Sequence, residues 1–79
     1  MKKADKYVKI IEWSEKDKCF IGSCPELFYG GCHGDNVKKV FDELCVIVEE
    51  TIELLEKDGK TLPEPMSGKE FVNAMQKVA

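Results

Sequence analysis

Two rhythms of apolar residues run along this chain. Tyr7-Val8-Lys9-Ile10-Ile11-Glu12-Trp13 is rich in β-branched and aromatic residues, which favour a pleated, half-buried strand. The polar run Glu15-Lys16-Asp17-Lys18 follows, and apolar character resumes at Cys19-Phe20-Ile21-Gly22, so the stretch predicts a β-hairpin. Its alternation is mixed: Tyr7, Ile11 and Trp13 share one side with Lys9, and Val8 and Ile10 share the other with Glu12. A sheet with one face under a helix and the other free for association fits that mixture. Pro25-Glu26-Leu27 interrupts the pattern, and the glycine-bounded Gly30-Gly31-Cys32-His33-Gly34 predicts a third strand with a bulge.

The second rhythm is helical. Val37, Val40, Phe41, Leu44, Val48, Ile52 and Leu55 recur at three- and four-residue steps and form one stripe wide enough to cover a sheet. Asp35 or Asn36 can cap its start, and Gly59 suits the left-handed position beyond its end. Asp42, Glu43, Glu49, Glu50, Glu53 and Glu56 fall on or beside the outer face, with Val46, Ile47 and Leu54 as exposed apolar residues near them. Thr61 to Pro65 must be extended, because residues before proline avoid the helical region. Beyond it, Ser67 and Glu70 form a capping box for a short helix over Phe71, Met75 and Val78; a short strand around Phe71-Val72 is the alternative. The expected fold class is α+β: a three-stranded antiparallel sheet covered by one long helix, with a short C-terminal helix or strand.

Composition narrows the function. The 79 residues are 43% hydrophobic and 34% charged, which suits one small domain over 1–79 with no second core. Twelve basic against fifteen acidic residues leave a net charge of −3, whereas nucleic-acid binding draws most of its affinity from basic surface. A basic protein partner is the better expectation. No export signal and no apolar run of about 18 residues is present, so the expected location is the cytoplasm, without a membrane contact.

Chemistry-bearing residues are few. Cys19, Cys24, Cys32 and Cys45 are expected as free thiols in a reducing compartment. Four residues separate Cys19 from Cys24 and seven separate Cys24 from Cys32, a spacing without the paired knuckles of structural zinc sites. The glycines lack a following Walker lysine, which argues against phosphate binding. His33 and Asp35 could form an acid–base pair of a small nuclease or hydrolase, but near neighbours on a chain rarely converge on one substrate atom. A protein without catalytic residues, metal or cofactor is therefore expected.

One family carries these pieces in this order. Pro25-Glu26-Leu27, a glycine-containing turn, Gly34-Asp35-Asn36, a long acidic helix and Asp58-Gly59-Lys60-Thr61-Leu62-Pro63-Glu64-Pro65 resemble the HicB-type antitoxins. Their usual pattern is F-P-D-L-P-G-C, then G-D-T, a helix of this length and a closing D-G-x-x-I-P-x-P. The resemblance spans Tyr7 to Pro65, and 66–79 is an extension. Cys24, Phe28, Tyr29, Gly30 and Asn36 depart from the pattern, mostly in the turn after the second strand.

The resemblance implies a cut-down ribonuclease H-like sheet without nuclease carboxylates. It also implies a type II toxin–antitoxin role, in which the chain neutralises a small basic HicA-like mRNA-cleaving toxin by direct contact. A stand-alone interaction domain with no toxin is the alternative. Expected motif residues with structural roles are Pro25, Leu27, Gly34, Asp35, Gly59, Pro63 and Pro65. Candidate partner contacts are Glu26 and Tyr29 in the family turn, with Glu49, Glu50 and Glu53 on the helix. A homodimer or higher oligomer is also expected, because an open three-stranded sheet leaves edges to be covered.

Overall fold

The computed structural model describes residues 2–65, together with Lys69 and Val72. Strand β1 (Ile10–Ser14) and strand β2 (Cys19–Cys24) form the expected hairpin, closed by Glu15–Lys18. Strand β3 (Phe28–Gly34) returns antiparallel to β2, so the sheet order is β1-β2-β3. Helix α1 (Val37–Lys57) then crosses one face of the sheet. This is the α+β arrangement that the hydrophobic pattern predicts. The C-terminal helix or strand expected over 67–79 lies outside the described residues, except for Lys69 and Val72, whose backbone is helical.

Cross-strand pairing sorts the sheet into two faces. Ile11 pairs with Gly22, and Gly22 with Cys32; a Cβ built on Gly22 would stand 2.9 Å from Cys32 Sγ, 3.2 Å from Val40 and 3.3 Å from Leu44. This row therefore lies under the helix. Ile10, Glu12 and Ile21 alternate to the opposite, outer face. The expected bulge sits between Gly22 and Cys24 of β2 and the longer stretch of β3 opposite. There Gly30 takes a φ of 67°, a left-handed conformation that side chains disfavour, and its N–H donates to Ser23 Oγ at 2.8 Å.

The helix is held at both ends by local bonds. Asn36, rather than Asp35, is the cap, and its Oδ1 accepts from Lys39 N at 3.0 Å. At the other end Gly59 adopts a φ of 73°. Gly59 N donates to Glu56 O at 3.0 Å and Lys60 N to Leu55 O at 2.9 Å. These two bonds make a Schellman turn and satisfy carbonyls the helix leaves unpaired.

Between the caps, Val40, Leu44, Val48 and Ile52 are buried and meet Cys24, Cys32, Ala4 and Tyr7 in one core. Three residues of the predicted stripe fall outside it: Val37 is 48% exposed and Phe41 44%, and Leu55 is only half-buried.

The N-terminal region departs further from the sequence reading. Strand β1 starts at Ile10 rather than Tyr7, because Lys3–Lys6 form a 3₁₀ turn packed on α1. Ala4 and Tyr7 are buried there, and Tyr7 Oη donates to Pro63 O at 2.6 Å. That single bond ties the chain before β1 to the extended segment after α1.

Gly22 is hemmed in by three side chains, and a methyl group there must displace Cys32, Val40 or Leu44. Gly22→Ala is expected to destabilise the fold by about 1–3 kcal/mol, read as a lower urea midpoint. Gly59→Ala should cost less, since open space surrounds that position and only the backbone conformation resists it.

Candidate protein-binding surface

Residues of the turn from Pro25 to Tyr29 divide into inward and outward groups. Leu27 is half-buried against the core, and its N–H closes the turn on Cys24 O at 2.8 Å. Pro25 is exposed at the corner. Glu26 is half-buried, and its charge reaches two buried acids. Burial first, and Glu26 second, push the Cys24 thiol upward. Burial also raises the Tyr7 phenol, followed by the charges of Cys24, Glu64 and Glu26. The side chain thus belongs to the buried end of the sheet as much as to its surface.

Tyr29 points the other way. It is 78% exposed, and its hydroxyl donates to Glu12 Oε1 at 3.0 Å, reaching across the outer face from β3 to β1. The hydrogen bond to Glu12, reinforced by that carboxylate's charge, raises the phenol above its ordinary value. Glu12 is a surface residue that sequence reasoning passed over. Its only sequence signal was a charge inside an apolar strand, and the Tyr29 contact depends on the sheet register. Beside the pair, Cys19, Ile21, His33 and Asp17 line a shallow hollow on the same face.

The helix glutamates face away from that surface. Glu49 is not a free outer-face charge, because Lys2 Nζ lies 3.1 Å from its Oε1. Glu56 is likewise paired with Lys3. Glu53 lines the groove between these lysines and the helix, and Glu50 stands exposed. The five candidate contacts therefore do not form one patch. Tyr29 lies on the outer sheet face, Glu26 at one end of the sheet, and Glu49, Glu50 and Glu53 on the helix, which covers the opposite face.

The closing motif does structural work. Gly59 turns the chain, Leu62 packs on the core and Pro63 supplies the carbonyl that Tyr7 bonds. Pro65 is exposed at the end of that segment. Gly34 lets Val40 approach, since a Cβ there would sit 3.1 Å from a Val40 methyl. Asp35 is exposed just before the cap.

The residues weighed for catalysis and metal binding fall on different sides. His33 is exposed on the outer face, whereas Cys24 and Cys32 are buried under the helix. Cys32 Sγ contacts Val40 O at 3.5 Å. All four cysteines are free, and among the described residues no group of three or more potential ligands converges. Nor is any helix among them long and apolar enough to cross a membrane. No family model, curated protein or solved structure matches the chain.

Burial separates the thiols, and burial is the first cause that raises both Cys24 and Cys32. Native protein should therefore label quickly at the half-buried Cys19 and Cys45, with Cys24 and Cys32 reacting only on unfolding; equal rates at all four would contradict the buried placement. The same groups set an alkaline limit. Each raised acid holds its proton more tightly in the fold than in the unfolded chain, so its stabilisation is complete below the unfolded value. It is lost as pH rises from about 8.5 for the thiols and about 10 for Tyr7. Urea midpoints should fall over that range, and Tyr7→Phe should flatten the upper part while losing about 1 kcal/mol from the bond to Pro63.

Proposed function

We propose that this chain is a non-catalytic binding module of the HicB antitoxin type, which neutralises a small basic HicA-like toxin by direct contact. The observation that carries the reading is the place of the family motif in the fold. Pro25-Glu26-Leu27 makes the β2–β3 turn, and Gly34-Asp35-Asn36 leads from β3 into the capped helix. The closing Asp58–Pro65 segment then ends the helix and returns the chain to Tyr7. This order of turn, cap and closing segment supports the reading. The net charge of −3 supports a basic partner, since opposite charge speeds encounter and disfavours nucleic acid.

The two candidate faces have different jobs in this reading. Helix charge acts at a distance and steers, whereas the Tyr29–Glu12 pair offers an aromatic ring for direct contact. Co-expression of the chain with a small basic toxin of this type should restore growth, and the two proteins should co-purify. Toxicity that persists, with no complex recovered, would refute the assignment. Within a complex, reversing Glu50 and Glu53 to lysine should lower the on-rate several-fold and weaken its salt dependence. Tyr29→Ala should instead raise the off-rate by about tenfold or more.

A further inference from the structure

We infer that one stripe of α1, formed by Glu43, Val46, Ile47, Glu50 and Leu54, is a docking face for a basic amphipathic helix of a protein partner. The inference deepens the antitoxin reading, because it names the part of the fold that would seat the basic toxin. It begins with what the N-terminal turn does to the helix. Lys2 pairs with Glu49 and Lys3 with Glu56, and Ile52 and Glu53 line the groove between them. That side of the helix is therefore occupied, and its charge is partly neutralised. At about 100° per residue, the stripe residues fall within about 100° of one another and centre about 120° away from the groove.

The stripe differs in kind from the groove side. Val46 is 53% exposed and Leu54 58%, with Ile47 half-buried beside them against the core. Exposed apolar residues mean little singly. Here, however, Val46, Glu50 and Leu54 follow at four-residue steps and make one ridge. Glu43 and Glu50 are exposed and make no ion pair among the described residues. Glu43 faces the β3 side, where its charge, after burial, raises the Cys32 thiol. Lys39 and Lys57 stand about a turn beyond either end, so the stripe between them is apolar and acidic only.

That combination selects the occupant. Unpaired carboxylates repel phosphate, which disfavours nucleic acid and anionic membrane surfaces. A purely ionic ligand would leave Val46 and Leu54 in water. A second copy would bring its own Glu43 and Glu50 and no cation between its end lysines. A helix with an apolar stripe flanked by lysine or arginine satisfies both parts. Its apolar side chains settle against the ridge, and its cations reach Glu43 and Glu50. From Glu43 to Leu54 the face runs about 16 Å, which a partner helix of about three turns covers.

A synthetic helical peptide of leucine and lysine, with lysines flanking a single leucine stripe, tests the face without any toxin. Titrated into the isotope-labelled full chain, it should shift the amides from Glu43 to Leu54. A peptide of the same composition with scattered leucines should bind at least about tenfold more weakly. Leu54→Glu decides between contact and mere attraction, because it adds a carboxylate while removing apolar surface. Docking predicts about tenfold weaker binding by this variant, whereas attraction to net charge predicts tighter binding. Glu50→Gln should weaken binding several-fold, and Glu56→Gln, which removes the same charge on the groove side, should leave it unchanged. Each variant alters an exposed residue, and circular dichroism checks its folding.

Shifts confined to Glu12 and Tyr29, equal binding of the two peptides, or tighter binding by Leu54→Glu would each overturn the proposal. Stripe amides that shift on concentrating the chain alone would make a second copy the occupant, and overturn it too. So would amides of 66–79 that shift in Leu54→Glu without peptide, since that segment would then cover the stripe. These outcomes leave the antitoxin reading standing, and a failed growth rescue would leave the peptide result standing.

Discussion

Helix α1 lies on backbone where most helices lie on side chains. Gly22 and Gly34 remove the Cβ atoms that would hold Val40 and Leu44 away, and the helix settles close enough for Cys32 Sγ to reach the Val40 carbonyl. Much else follows from this approach. A small sheet has little side-chain volume to offer, so close approach is how the core formed by Val40, Leu44 and Cys32 excludes water. The cysteines here act as small apolar residues, and their burial explains why their thiols resist ionisation.

Close seating also decides what is left uncovered. Because the helix sits mainly over β2 and β3, Trp13 of β1 stands half-exposed. Val37 and Phe41 at the helix start likewise stay half-exposed. The outer sheet face carries the Tyr29–Glu12 bond. Separate surfaces of different chemistry thus arise from one placement of the helix.

The ends of the described fold are joined by Tyr7 and Pro63. Surface ion pairs such as Lys2–Glu49 are typically worth little on their own. The buried Ala4 and Tyr7, with the phenol bonded to a backbone carbonyl, carry more of the attachment. The Schellman turn at Gly59 is what directs the chain back to make that bond. The closing segment therefore holds the fold through its backbone conformation and one carbonyl.

Local rules sufficed for the elements themselves. Three- and four-residue spacing marked the helix, Asn36 and Gly59 marked its ends, and β-branched runs flanking a polar tetrapeptide marked the hairpin, because each depends on residues near in sequence. Tertiary structure decided the rest. Phe41 keeps the helical phase of the core yet stands 44% exposed, since phase cannot say how far along the helix the core extends. Glu49 looked like a free acidic residue until a 3₁₀ turn 47 residues away supplied Lys2, and Tyr29 and Glu12 met only through the strand register. Sequence periodicity reports which side of an element is apolar, whereas a binding surface is made by residues from different elements. Their distances depend on how those elements pack, and here that packing was set by two glycines.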